Sequence, residues 1–116
     1  MPVTTNDLIA EGIDCAKTGA SIIHLHVYDP ETGQQFEDFD AYRAVIEGIR
    51  QYQDVIVYPT LPLSGFGNTN QNFKPDARFS TVKKLAKSGL IEWSVIDPGT
   101  TQITELDTTN DDGVQF

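Results

Sequence analysis

Histidine, cysteine and positive charge are all scarce in this 116-residue chain, which has two histidines, one cysteine and eight lysines plus arginines against seventeen acidic residues. A single thiol, Cys15, can form no internal disulfide, which excludes a disulfide-stapled scaffold and suits a reducing compartment. Its place in a helical pattern predicts a packed thiol and not a nucleophile. The net charge of −9 and the sequence pI of about 4.4 repel phosphate backbones, which sets nucleic-acid binding aside. No apolar run approaches ~18 residues, so no membrane span is expected. No signal-peptide pattern precedes Pro2, and the expectation is a soluble, cytoplasmic protein without membrane or nucleic-acid partners. The length suits one domain, and a hydrophobic fraction of 39% is that of a folded chain. Acidic residues gather late, at Glu105, Asp107, Asp111 and Asp112, where a solvated loop is the expected reading and a metal site is not.

What the chain does have is both of its histidines one residue apart, in Ser21-Ile22-Ile23-His24-Leu25-His26-Val27-Tyr28-Asp29-Pro30. The run has the composition of a buried β-strand entering a turn. Side chains alternate across a strand, so His24 and His26 share one face, ~6.6 Å apart along the chain. Two imidazoles at that spacing can converge on one metal ion, each with a ring nitrogen ~2.0–2.1 Å from zinc. The alternating positions Ile23, Leu25 and Val27 are apolar, so one face packs and the other carries chemistry.

The rest of the chain alternates helix and strand. Thr4 and Asp7 form a capping box ahead of Leu8, Ile9, Ile13 and Ala16 on one helical face, and Gly19 supplies the C-terminal stop. Asp29-Pro30-Glu31-Thr32-Gly33 is turn chemistry. A second helix runs from Asp38 or Asp40 to Tyr52, with Tyr42, Val45, Ile46 and Ile49 as its inner stripe. Asp54 to Thr60 is a second strand, apolar enough to suggest burial on both faces. A third helix spans Asp76 to Ser88 with Phe79, Val82, Leu85 and Ala86 inward, and Gly89 closes it. Ile91 to Ile96 follows as a third strand before Asp97-Pro98-Gly99. Alternation of this kind predicts an α/β fold of about three βα units on a parallel sheet, with helices on one face. Residues 1–116 form a single domain: helix and strand repeats over 1–99, then a polar tail over 100–116 leading toward a further unit.

In α/β folds ligands bind beyond the carboxyl ends of parallel strands. The first strand ends there with His24, His26 and Asp29, the second with Thr60, then Ser64 and Gly65, and the third with Asp97 and Gly99. Thr60 can equally bond a neighbouring backbone group, and Asp97 before Pro98 is common turn chemistry.

Pro2-Val3-Thr4 before a helix, Gly19-Ala20, His24-Leu25-His26-Val27 with Asp29-Pro30, and Asp97-Pro98-Gly99 after a strand together resemble one family over nearly the whole chain. It is the β-keto acid cleavage enzyme family, the 3-keto-5-aminohexanoate cleavage enzymes of lysine fermentation among them. The resemblance implies a (β/α)8 TIM barrel, of which this chain is a part comprising the second to fourth βα units. It implies Zn2+ or another divalent metal held by His24, His26 and a ligand from a late strand, in a protein that is homo-oligomeric at full length. It implies a reaction in which a β-keto acid and acetyl-CoA give acetoacetate and a new acyl-CoA. Thr60, Ser64, Gly65 and Asp97 are the substrate-binding candidates on this comparison. Two departures stand out. Tyr28 occupies a position where the family often has arginine, and Tyr58-Pro59-Thr60-Leu61-Pro62-Leu63-Ser64-Gly65 replaces a Thr-Thr-Gly-Gly-like turn, which points to a divergent substrate. A full barrel takes ~250 residues, so this chain alone is expected to be inactive. The alternative is a small non-catalytic α/β module that binds metal or a partner.

Overall fold

The computed structural model describes residues 4–61, 76 and 79–95, with the backbone alone of 108–110 and 113–115. The elements in chain order are α1 (Thr5–Lys17), β1 (Ile22–Leu25), α2 (Phe39–Arg50), β2 (Ile56–Pro59), α3 (Ser80–Lys87), β3 (Thr108–Asn110) and β4 (Gly113–Gln115). The expected order of helix, strand, helix, strand and helix is therefore what the first five elements form. Ser64, Gly65 and Asp97 lie outside the described residues.

Local chemistry sets the helix ends. The Thr4 hydroxyl accepts from the Asp7 amide at 3.2 Å and donates to the Asp7 carboxylate at 2.7 Å, so the capping pair closes through its two side chains. Asp38 caps α2, its carboxylate accepting from Ala41 N at 2.7 Å. Helices α1 and α3 stop in the same way. Gly19 N donates to Ala16 O and Ala20 N to Cys15 O, while Gly89 N donates to Ala86 O and Leu90 N to Leu85 O. This pair of bonds needs a left-handed residue at its centre, and Gly19 and Gly89 have φ of 109° and 69°.

β1 and β2 pair in parallel, Ile22 with Ile56, Ile23 with Val57, His24 with Tyr58 and Leu25 with Pro59. The ladder continues past the strand end, since Thr60 N donates to Leu25 O at 3.1 Å. Only one face of the pair is sealed. Leu25, Val27, Val57 and Pro59 are buried under the helices, whereas Ile22 on the opposite face is 43% exposed. Burial of the second strand on both faces, expected from its apolar run, is thus corrected: Ile56 and Tyr58 are half-buried. The whole predicted stripe of α2, namely Tyr42, Val45, Ile46 and Ile49, is 0% exposed. Each aliphatic member contributes about 1.5–3 kcal/mol by leaving water. α1 crosses α2 through two reciprocal contacts at glycine. A Cβ built on Gly12 would stand 2.8 Å from Ile49 Cγ1, and one built on Gly48 would stand 2.8 Å from Ile9 Cγ1. Each helix seats an isoleucine against bare backbone of the other.

Three further expectations change. The third strand does not form over its described part: Ile91 to Val95 lie outside any strand, so the parallel sheet among the described residues has two strands, not three. Arg50 on α2 takes hold of this segment, donating to Leu90 O at 3.0 Å and to Glu92 at 2.7 Å. The described part of the segment is held by this side chain and by no ladder, and Trp93 is 51% exposed. On α3 the inward row runs through Thr81 and Leu85, and Ala86, expected inside, is exposed. Cys15, expected to be packed, is exposed because the α1 stripe of Leu8, Ile9, Gly12, Ile13 and Ala16 turns that position to the flank. Within the polar tail, β3 and β4 pair antiparallel, Asn110 opposite Gly113.

Candidate functional site

His24 lies on β1 and His26 one residue past its end, both on the face turned away from the helices. Their ring centroids are 5.1 Å apart with planes at 83°. Two imidazoles bound to one tetrahedral ion, with nitrogens ~2.0–2.1 Å from it, place their centroids about 5 Å apart, so the pair fits a shared metal. Tyr58, the register partner of His24 on β2, lies against it with centroids 4.8 Å apart. Among the described residues, no third His, Cys, Asp or Glu joins the two. Asp29, the nearest acidic group after them in the chain, is engaged in the turn: its Oδ1 accepts from Glu31 N at 2.9 Å. That bond, with those to Thr32, lowers the Asp29 carboxyl below its ordinary range.

The chain past β1 folds back on itself. Gly33 N donates to Asp29 O at 2.7 Å, Asp29 N to Gln34 O at 2.9 Å and Phe36 N to Val27 O at 3.2 Å. Gly33 sits in the left-handed region at φ 67°, which only glycine adopts without strain in such a turn. Tyr28 and Gln35 form an antiparallel bridge, and from there Gln35 Oε1 reaches His26 Nδ1 at 2.9 Å.

Thr60 is buried at the end of β2, its amide bound to Leu25 O and its hydroxyl 3.3 Å from Leu61 O. Close to the backbones of Val27 and Thr60 lies the Tyr42 hydroxyl, buried without a hydrogen-bond partner among the described residues. Burial raises it well above the ordinary phenol range, and the Glu37 charge adds to that. Both Glu37 carboxyl oxygens are buried and equally without a partner, and this desolvation pushes Glu37 up to about 7. A carboxyl group so placed is about half protonated at neutral pH, able to donate or accept a hydrogen bond. Neither Gln35 nor Glu37 stood out in the sequence. The only trace of Glu37 was an acidic residue next to Phe36 and two positions from Phe39, and Gln35 left none.

The family model described as beta-keto acid cleavage enzyme matches residues 1–115. A 3-dehydrocarnitine:acetyl-CoA trimethylamine transferase of Rhizobium meliloti is 38% identical over 82 residues, covering 67% of this chain and 27% of the relative. A 3-keto-5-aminohexanoate cleavage enzyme of Fusobacterium nucleatum is 39% identical over 61 residues, 52% of this chain and 22% of the relative. A 3,5-dioxohexanoate:acetyl-CoA acetone transferase of Paraburkholderia graminis is 29% identical over 79 residues, 68% of this chain and 26% of the relative. The chain spans about a quarter of the length of these relatives. Among the described residues, no helix is long and apolar enough to cross a membrane.

Proposed function

The chain belongs to the beta-keto acid cleavage enzyme family, and from that premise we propose that it serves the cleavage of a β-keto acid with acetyl-CoA, yielding acetoacetate and a new CoA thioester. The observation that carries this reading is the histidine pair, 5.1 Å between centroids at the carboxyl end of β1, inside the segment the family model matches. His24 and His26 hold zinc or another divalent ion, with a further ligand from elsewhere in the complete enzyme. Such an ion, when bound, supplies Lewis acidity toward the keto and carboxylate oxygens of the substrate. The chain's own groups position and wall the site. Tyr58 flanks His24, and Thr60, buried just past the end of β2, is a substrate contact on this reading. Ser64, Gly65 and Asp97 are further substrate contacts on this reading, from their place after strand and helix in the chain.

The same reading makes β1 and β2 adjacent strands of a (β/α)8 barrel. Helices on one face and the histidines on the other match a barrel wall, and the relatives' greater length leaves room for the remaining strands. Without groups from facing strands to orient the reactants, the 116 residues alone are not expected to turn over substrate.

The test has two arms. Titration of the purified chain with zinc should show binding, weak for want of the further ligand, and His24→Ala with His26→Ala should abolish it. Grafted in place of the matched segment of the Rhizobium meliloti relative, the chain should support acetyl-CoA-dependent turnover of 3-dehydrocarnitine, lost in the same double variant. Metal content unchanged by the double substitution refutes the ligand assignment. A folded graft that keeps metal without turnover favours the non-catalytic module.

A further inference from the structure

We propose that Gln35 is a positioning residue that fixes the tautomer and ring orientation of His26, presenting Nε2 as its ligand nitrogen. The inference rests on the reading of His24 and His26 as metal ligands. Gln35 Oε1 lies 2.9 Å from His26 Nδ1. An amide oxygen carries no proton, so Nδ1 donates, and a neutral imidazole with its proton on Nδ1 has its lone pair on Nε2. His26 needs such a partner more than a strand residue would, because it stands one position beyond β1.

The holder is itself held. Gln35 is nine residues from His26, and its backbone is clamped on both sides. Its neighbours Gln34 and Phe36 bond Asp29 and Val27, and the residue itself bridges Tyr28. Beneath that hairpin the Asp29 carboxylate and Gly33 set the turn. The amide therefore meets the ring from a rigid platform, the arrangement by which outer-shell groups orient metal-binding histidines. Removing such a partner typically weakens metal affinity by about 10–100-fold.

The experiment compares the wild-type chain with Gln35→Met, near in size but without the acceptor, and Gln35→Glu, which keeps one. Long-range imidazole nitrogen spectra of the metal-free chain should show the Nδ1–H tautomer in wild type and Gln35→Glu and its loss in Gln35→Met. Zinc affinity by competition titration should fall about 10–100-fold in Gln35→Met and recover in Gln35→Glu. Unfolding midpoints within error of wild type separate this from general disruption. An Nε2–H tautomer in the wild-type chain overturns the proposal, as does a Gln35→Met variant with unchanged tautomer and zinc affinity. If the wild-type chain takes up no zinc, the ligand reading fails separately; the Nδ1–H tautomer and its dependence on Gln35 still decide whether Gln35 sets the ring.

Discussion

Replacing Gly12 with alanine tests the α1–α2 contact on which the sheet's cover depends. The new methyl group would stand 2.8 Å from Ile49 Cγ1, about 0.6 Å inside the 3.4 Å at which ordinary contact begins. Ile49 cannot swing away: it is 0% exposed, and a β-branched side chain in a helix has one strongly preferred χ1 rotamer. Overpacking of this kind costs about 1–3 kcal/mol. Alanine's better helix propensity returns about 0.8–1 kcal/mol. The expected net effect is a loss of up to about 2 kcal/mol, read as a lower urea midpoint with an unchanged slope. The sign should reverse once the obstacle is removed. In an Ile49→Ala background, itself costing about 2–5 kcal/mol, the added methyl group fills part of the void and Gly12→Ala should stabilise by about 0.5–1 kcal/mol. The reciprocal site offers a milder repeat, since Gly48 faces Ile9, which is only partly buried. A Gly12→Ala midpoint above wild type, or the same sign in both backgrounds, would refute the close-approach reasoning.

Two other outcomes follow from buried or tethered charge. Glu37 titrates near 7 in the folded chain against an ordinary 4.5, so its protonated form favours the native state. That contribution is fully present below pH 4.5 and is lost as pH rises through about 7; discounted for the partly exposed residue it is about 1–2 kcal/mol. Glu37→Gln should therefore gain on wild type by that amount between pH 4.5 and 8, measured as the difference in unfolding midpoint across pH, and a constant difference would contradict the burial argument. Arg50→Met removes the donors to Leu90 O and Glu92. It should cost about 1–2 kcal/mol and speed amide exchange at Ile91 and Glu92; unchanged exchange there would mean that Arg50 does not hold the segment.

How much of this was legible along the chain depends on the range of the interaction. The N-cap at Thr4, the glycine stops at Gly19 and Gly89 and the α2 stripe from Tyr42 to Ile49 all follow from neighbours within about one or two helical turns. The shared face of His24 and His26 follows from strand parity alone. Errors arose where a segment's conformation is decided from outside it. Ile91 to Ile96 has a strand's composition, but a strand forms only against a paired neighbour, and Ile91 to Val95 pair with none among the described residues. Ala86 and Cys15 sit at the borders of apolar stripes, where the width of the contact with the next helix decides burial.

By itself, then, the sequence determined the order of the first five elements, the caps at Thr4, Gly19 and Gly89 and the face on which the two histidines stand, because each depends on backbone geometry and on residues close by in the chain. Only the tertiary structure decided that Gln35 faces His26 Nδ1, that the Glu37 carboxyl and the Tyr42 hydroxyl are buried without partners among the described residues, and that Gly12 and Gly48 each admit an isoleucine from the facing helix. Hydrogen-bond pairing, desolvation and close packing depend on distances between residues far apart in the chain, and those distances exist only once the chain has folded.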